Sequence, residues 1–143
     1  MPPQHTSSEA ETIALGERIA RALPSRAVVL LIGNLGAGKT TIAKGIVKGL
    51  GAANPDEVSS PTFTLIHEYG GGRVYHIDLY RLEEPREVAT IGLDELFDRN
   101  AVILIEWGER FPQLIPDDRI EIHMKAADAD SRIIEIKGIK IDQ

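Results

Sequence analysis

The sequence predicts an α/β domain with a mostly parallel central sheet and antiparallel additions. Two apolar runs without alternation, at 27–32 and 101–105, are typical of strands that are buried on both faces. A glycine-rich turn and a stretch with helical periodicity follow the first run, which gives the order strand, helix, strand. With 143 residues and no linker long enough to divide it, the chain is predicted to be one domain over 1–143.

In the first half of the chain, one helix is predicted before the first buried strand and a second helix after it. The first helix starts near 6–8 and ends before Pro24. Its start is marked by two pairs with capping-box spacing, Thr6 with Glu9 and Ser8 with Glu11. The second helix spans about 39–50, and Gly51 suits the position after its last turn.

The second half of the chain is predicted to be richer in strands. Alternating apolar and polar residues indicate the strands there, and glycine and proline indicate the turns and breaks. The predicted elements are a hairpin of 62–69 and 74–79 that turns at 70–72, a helix over 85–97 broken near Gly92, a loop over 107–118, and closing strands at 119–124 and 132–137.

Charge and composition limit what the chain is expected to do. The formal net charge is −6 and no dense block of lysine or arginine occurs, which argues against tight, direct RNA binding by this chain alone. An acidic surface serves solubility, and it also suits docking on a basic protein. The chain has no cysteine, no signal-peptide pattern and no apolar run long enough for a membrane span, so a cytoplasmic location is expected.

A phosphate-binding loop is predicted at the turn after the first buried strand. The match to G-x-x-x-x-G-K-[ST] is complete and consists of Gly33, Asn34, Leu35, Gly36, Ala37, Gly38, Lys39 and Thr40. Glycines let the main chain wrap around phosphate oxygens, and the N-terminus of the following helix adds positive potential. Because the motif lies between a buried strand and a helix, the pattern predicts a P-loop that binds ATP with Mg²⁺.

Three residues in and near this loop are the first candidates for catalysis and metal binding. Lys39 is predicted to contact the β- and γ-phosphates, and the Thr40 hydroxyl is predicted to ligate Mg²⁺. Glu106 follows the buried run at 101–105, at the strand end where ligands bind in such sheets. The usual residue there is Asp, so the longer Glu106 is expected to act through a metal-bound water or to orient the attacking water.

A further carboxylate is predicted on the strand at 74–79. His76, Asp78 and Tyr80 share one face of that strand, and the residues between them form an apolar face. Asp78 is therefore a catalytic candidate that assists Mg²⁺ or the attacking water. His76 is interpreted as a hydrogen-bonded structural histidine rather than a ligand.

Two more segments are candidates for contact with the nucleotide. Residues 59–62 lie where many P-loop proteins have a phosphate-sensing loop, in which a threonine, here Thr62, becomes ordered by the γ-phosphate. The same sequence is also a common turn. Trp107 follows Glu106 directly, and it either packs in the core or contacts nucleotide or a partner.

Together these segments resemble the TsaE family (YjeE-like), the small P-loop ATPase of bacterial tRNA threonylcarbamoyladenosine biosynthesis. The segments that carry the resemblance are G-N-L-G-A-G-K-T-T at 33–41, S-P-T-F at 60–63, H-I-D-L-Y-R at 76–81 and I-E-W at 105–107. The glycine motif alone indicates only a superfamily, whereas the four segments in this order are far more specific. They extend over the chain from the first helix to the last strands.

The resemblance implies a weak ATPase that is activated by partners. It implies work with a TsaD-like transferase subunit and its TsaB-like paralogue, which modify the adenosine beside the tRNA anticodon, with tRNA contacted mainly through that complex. It assigns Mg²⁺ to Thr40 and Glu106 and gives functional positions to Thr41, Asp78, Trp107 and, in the phosphate-sensing loop, Thr62. Thr6 and Arg132 match positions on the adenine side of the nucleotide.

Two other functions remain open from the sequence. A small-molecule kinase would use the same loop but needs an acceptor pocket and an arginine-bearing lid, and Arg81, Arg86 and Arg110 are scattered. A nucleotide-gated binding module would use ATP to order 59–64 for docking, with hydrolysis incidental. A GTPase is disfavoured because no N-K-x-D motif occurs.

Overall fold

The fold is a mixed sheet with helices on both faces. The computed structural model describes residues 2–61 and 65–141. In that part the strands are β1 (Gln4–Thr6), β2 (Ala27–Ile32), β3 (Ile66–Tyr69), β4 (Val74–Asp78), β5 (Val102–Glu106), β6 (Ile120–Ala126) and β7 (Arg132–Lys137). The helices are α1 (Glu9–Ala22), α2 (Lys39–Gly49), α3 (Pro85–Ala89) and α4 (Leu93–Phe97).

The centre of the sheet is parallel and its edges are antiparallel, as the sequence predicted. The seven strands lie in the order β1-β7-β6-β2-β5-β4-β3. β2 is parallel to both β5 and β6, and β4 is parallel to β5. The hairpin of β3 with β4 and the β6–β7 and β1–β7 pairs are antiparallel. Parallel strands end at one edge, so the ends of β2, β4 and β5 meet there.

Two apolar clusters lie on opposite faces of the sheet. One joins α1 and α2 to the sheet through residues such as Ile19, Ile46 and Leu104. The other lies beneath α3, α4 and the loop after β5, and it contains Ile77 and Ile105. The continuous apolar runs of β2 and β5 follow from this double coverage, because both faces of each strand contact a cluster.

α1 and α2 approach each other closely through glycine. A Cβ atom on Gly16 of α1 would lie 2.6 Å from the carbonyl oxygen of Ile42 in α2. No larger residue fits there without moving one helix, so the site-bearing α2 packs directly on the backbone of α1. No helix in residues 2–61 and 65–141 is long and apolar enough to cross a bilayer.

The structure confirms one of the two predicted caps of the first helix and excludes the other. Ser8 is the N-cap, and its side chain accepts a hydrogen bond from the Glu11 backbone N–H at 3.1 Å. The alternative pair of Thr6 with Glu9 is wrong, because Thr6 lies in β1, opposite Arg132 of β7. β1 has three residues, too few for an alternating pattern to be detected.

The remaining predicted elements have small differences in length. The helix over 85–97 is broken into α3 and α4, and Gly92 at the break has a φ of 79°. The loop over 107–118 contains 3₁₀ turns at Gly108–Arg110 and Pro112–Leu114. Of the strand predicted at 62–69, β3 accounts for the second half, and 62–64, including Thr62, lie outside the described residues.

Candidate nucleotide-binding site

The glycine loop connects the end of β2 to the start of α2. Gly36 and Gly38 have φ values of 80° and 99°, in the left-handed region that favours glycine. Gly38 is also the N-cap of α2, and no side chain caps the first turn. The first N–H groups of α2 therefore have no side-chain acceptor there, which is the arrangement that binds anions.

The loop is packed tightly against the strands beside it. A Cβ atom at Gly33 would lie 2.6 Å from the Met124 carbonyl oxygen of β6. One at Gly38 would lie 3.3 Å from the Arg132 Nε of β7. The glycines at these positions therefore serve close packing as well as a turn, and any added side chain would collide with residues of β6 or β7 or push the loop away from the sheet.

A cavity of about 380 Å³ opens above the loop at the edge where the parallel strands end. It is lined by most of the predicted site residues and by two that the sequence did not single out as ligands, Ser60 and Tyr80. The predicted residues in its lining are Leu35, Gly36, Gly38, Lys39, Thr40, Thr41, Asp78, Glu106, Trp107 and Arg132. Asn34 and Ala37 belong to the same loop but do not line the cavity, and Ala37 is buried beneath it.

Thr40 and Glu106 lie next to each other in this cavity. The Thr40 hydroxyl is 3.4 Å from Glu106 Oε2, a long and weak hydrogen bond. Glu106 is 4% exposed, and its Oε2 is also 2.6 Å from His76 Nε2. A hydroxyl beside a carboxylate is an oxygen donor set of the kind that Mg²⁺ prefers.

Asp78 is placed beside Glu106 by the register of the sheet. The two residues are partners on the parallel strands β4 and β5, so their side chains leave the sheet on the same face. Asp78 Oδ1 accepts from the Tyr80 backbone N–H at 2.8 Å, and its Oδ2 accepts from the Ser60 hydroxyl at 3.2 Å. This buried carboxylate is therefore held in one orientation by two different segments.

The described residues do not make a complete metal cage by themselves. No group of three or more histidine, aspartate or glutamate side chains in 2–61 and 65–141 is arranged to hold a metal ion. Mg²⁺ at nucleotide sites usually takes few protein ligands and completes its shell with phosphate oxygens and water. The pair of Thr40 and Glu106 fits that kind of site.

Lys39 is buried, and none of the described residues is its hydrogen-bonding partner. Its side chain is folded over Trp107, with Nζ 3.7 Å from the centre of the ring, and no acceptor in the described part of the chain contacts that nitrogen. Burial lowers the pKa of Lys39, and the nearby carboxylates of Glu106, Glu109 and Asp78 act in the opposite direction. A buried ammonium group of this kind fits an anionic ligand, because such a ligand would supply the missing acceptor.

Trp107 is the centre of an aromatic group at the rim of the cavity. Its φ is 67°, a left-handed conformation that is uncommon for a bulky residue. The ring lies 5.2 Å from the Tyr80 ring and 5.3 Å from the Arg110 guanidinium. Arg110 also donates to the Tyr80 carbonyl at 2.7 Å. No pattern in the sequence predicts this grouping, since it depends on the turn after β5.

Arg132 lies over the glycine loop from β7. Its Nη2 donates to the Gly36 carbonyl at 3.2 Å. It also lines a second cavity, of about 110 Å³, together with Thr12, Thr41 and residues of α1 and the β6–β7 turn. Thr6 lines neither of these two cavities, and its hydroxyl contacts that of Thr12 at 2.7 Å. A contact of Thr6 or Arg132 with adenine stays a prediction.

A glycine loop that ends in a lysine and a threonine, at the carboxyl edge of a parallel sheet, defines a nucleotide-binding protein of the P-loop class. Comparison of the whole chain with known proteins identifies the family within this class. The family model for "Threonylcarbamoyl adenosine biosynthesis protein TsaE" matches residues 6–134, and the chain belongs to the TsaE family.

Individual relatives agree with this assignment over most of their length. The chain is 40% identical to a Bacillus subtilis protein over 136 residues, which are 94% of this chain and 84% of the relative. It is 43% identical to one from Nostoc sp. over 87% of this chain and 78% of that one. Both are named "tRNA threonylcarbamoyladenosine biosynthesis protein TsaE".

A solved structure has the same fold. The crystal structure of Bacillus subtilis YdiB superimposes with a TM-score of 0.73 and 34% sequence identity. The match covers 94% of this chain and 83% of YdiB. The α/β fold and the family resemblance predicted from the sequence are thereby confirmed.

Proposed function

We propose that this chain is the ATP-binding and ATP-hydrolysing subunit of the machinery that makes threonylcarbamoyladenosine on tRNA, at the adenosine beside the anticodon. Membership of the TsaE family and the names of the relatives support the pathway. The observation that carries the ATPase role is the meeting of the glycine loop, Lys39, Thr40 and two carboxylates in one cavity. In this proposal, residues 1–143 act as one ATPase domain in the cytoplasm.

Mg²⁺-ATP is the ligand that best fits the site. The glycine loop and the first turn of α2 would hold the phosphates, and Thr40 with Glu106 would hold Mg²⁺ directly or through water. The bound Mg²⁺ would neutralise charge on the β- and γ-phosphates during phosphoryl transfer. Two observations support this fit: the Lys39 ammonium has no acceptor among the described residues, and the oxygen donors lie beside it in the same cavity.

The catalytic work would be divided among three side chains. Lys39 would leave the Trp107 ring and contact the phosphates, where its charge stabilises the transferring group. Asp78, fixed by Ser60 and the Tyr80 N–H, would orient the attacking water. Glu106 would complete the metal shell or accept a hydrogen bond from that water through the remaining lone pairs of its carboxylate. Its orientation is also restrained, by the hydrogen bond with His76.

The contacts of two nearby arginines support a weak basal rate with activation by partners. Arg110 donates to the Tyr80 carbonyl and Arg132 donates to the Gly36 carbonyl. An arginine directed at the transferring phosphoryl group is worth about 10³–10⁵ in rate. A TsaD-like transferase and a TsaB-like paralogue would activate the chain by redirecting one of these residues or by supplying another, and they would make the main contacts with tRNA.

The test is ATP turnover by the purified chain, alone and with the transferase complex. We expect slow hydrolysis alone and a strong increase with the complex, together with support of repeated tRNA modification. Glu106→Ala should bind nucleotide and lose this support. Failure of the chain to bind the complex would contradict the proposal, as would labelled phosphate that appears on an acceptor other than water.

A nucleotide-gated binding module is the second candidate, and one contact favours it. Ser60 donates to Asp78 inside the cavity. A nucleotide bound at Asp78 can therefore change the position of Ser60 and of the segment around it. In this case Glu106→Ala would retain partner binding and full support of modification without hydrolysis. The same variant therefore separates the two candidates.

A further inference from the structure

His76 is a buried histidine whose ring is directed at the proposed metal site. It is 0% exposed, and its Nε2 lies 2.6 Å from Glu106 Oε2. Its other ring nitrogen, Nδ1, is buried and has no hydrogen-bonding partner among residues 2–61 and 65–141. Because a carboxylate only accepts, Nε2 is the nitrogen that carries the proton in this hydrogen bond. The ring is thus a donor with a single target.

The sheet explains why His76 reaches Glu106. His76 pairs with Leu104 and Asp78 pairs with Glu106 on the parallel strands β4 and β5. All four side chains therefore leave the sheet on the face that α2 covers. His76 lies level with Leu104, two residues before Glu106 on the neighbouring strand. From this position the imidazole contacts Glu106 Oε2. The Thr40 hydroxyl, at the start of α2, contacts the same oxygen at 3.4 Å.

Glu106 needs such an anchor more than Asp78 does. Its side chain has one more rotatable bond than aspartate, so its carboxylate has more orientations to choose from. Asp78 is held by a backbone N–H and a serine hydroxyl. The hydrogen bond from His76 fixes one oxygen of Glu106 and thereby sets the direction of the other.

We propose that His76 is a positioning residue that orients the Glu106 carboxylate for the magnesium–nucleotide complex. The inference rests on the proposed function and adds a residue that acts through Glu106 without contacting nucleotide or metal. Hydrogen-bonding partners of metal ligands typically contribute about 10–100-fold to metal affinity or activity. The effect of losing His76 should accordingly appear in the response to Mg²⁺.

Two amide substitutions separate a positioning role from a structural one. Gln at 76 can bring its amide nitrogen close to where Nε2 lies now, whereas Asn is too short to reach Glu106. The experiment measures the affinity of a fluorescent ADP analogue with Mg²⁺ and with a chelator, for wild type, His76→Gln and His76→Asn. His67→Asn is the matched control, because His67 pairs with His76 in the register of β3 and β4. Its ring is hydrogen-bonded to the Tyr69 hydroxyl and not to Glu106.

We expect His76→Asn to lose about 10–100-fold of the gain in affinity that Mg²⁺ gives, with metal-free affinity unchanged. His76→Gln should keep most of that gain, and His67→Asn all of it. A His76→Asn protein with the wild-type Mg²⁺ response would overturn the inference alone. Equal losses in the Asn and Gln proteins, or equal losses with and without Mg²⁺, would show a structural role instead. A wild-type chain that bound no nucleotide would overturn the proposed function as well.

A second measurement needs no variant. Long-range ¹H–¹⁵N spectra of the wild-type chain report which nitrogen of each histidine ring carries the proton. We expect His76 to be protonated at Nε2 and its signals to shift when Mg²⁺ is added to the ADP complex, with His67 unaffected. A His76 ring protonated at Nδ1 only, or one that did not respond to Mg²⁺, would contradict the proposal even if His76→Asn failed to fold.

Discussion

Towards the carboxyl ends of β4 and β5, the two faces of the strands are equally buried but have opposite chemistry. On the α3–α4 side, Tyr75, Ile77 and Ile105 pack in an apolar cluster. On the α2 side, His76, Asp78 and Glu106 are no more than 4% exposed, although all three are polar. Burial of polar groups costs free energy unless they are paired. The difference teaches that, at these strand ends, one face serves stability and the other holds the site in place.

The largest expected effect is on the site face, from Lys39→Ala. Loss of the ammonium should lower ATP turnover in the presence of the transferase complex by about 10²–10³-fold, because a charge that stabilises the transferring group is lost. The folded state should not be destabilised, since the Lys39 nitrogen is buried and no residue that the structure describes is its acceptor. Turnover assays and thermal melting measure the two effects.

The control for that prediction is Lys48→Ala in the same helix. Lys48 pairs with Glu17 at 2.7 Å and is half exposed, so its removal should leave turnover unchanged. Equal losses in the two alanine proteins would mean that the effect of Lys39→Ala is general charge loss and not chemistry at the glycine loop.

Asp78→Asn should have the next largest effect, a fall of about 100-fold in turnover. The amide keeps the size of the side chain, and its oxygen can still accept from the Tyr80 N–H. Stability should therefore change little while the carboxylate charge is lost. Single-turnover hydrolysis and melting temperature are the measurements. A large fall in stability with normal turnover of the folded fraction would place Asp78 with the core residues instead.

Ile77→Val tests the opposite face of the same strand. Deletion of one buried methylene group should lower the free energy of unfolding by about 0.5–1.5 kcal/mol, because Ile77 is 0% exposed. ATP turnover by the folded protein should be that of the wild type. Denaturant titration measures the stability, and a turnover defect in fully folded Ile77→Val would remove the distinction between the two faces.

The smallest expected effect is a dependence of stability on pH through Glu109. Burial raises the pKa of Glu109 above its ordinary value of 4.5, with Lys39 and Arg110 opposing this effect. The folded chain then binds more protons than the unfolded chain between 4.5 and the raised pKa, so this contribution to stability falls as pH rises through that window.

Glu109→Gln should remove this contribution. Relative to wild type, the Gln protein should gain stability as pH rises from below 4.5 through the window. Denaturant titrations of both proteins at several pH values measure the difference. A difference that stayed constant with pH would mean that Glu109 has an ordinary pKa in the folded chain.

The sequence was sufficient to predict the order of the elements and the glycine loop. Continuous apolar runs at β2 and β5 indicated buried parallel strands, and the motif at 33–40 has strict spacing. Both features are set by residues that are close together in the sequence, so they can be recognised before the fold is known. The short edge strand β1 was missed because its pairing with β7 joins residues far apart in the chain.

The contacts inside the site were beyond what spacing predicts. The hydrogen bond of His76 to Glu106 depends on the register of β4 against β5, and the position of Lys39 over Trp107 depends on a left-handed residue after β5. His76 was interpreted as a hydrogen-bonded histidine, and its hydrogen bond is confirmed. Its partner could not be named, because register is a property of the assembled sheet.

Calorimetric titration of the folded chain with Mg²⁺-ATP tests the central claim most directly. We predict saturable heat for one nucleotide per chain, and a much weaker signal from Lys39→Ala. If millimolar Mg²⁺-ATP gave no heat with the wild-type chain, whether alone or with the transferase complex, the assignment of this cavity to a nucleotide would be contradicted.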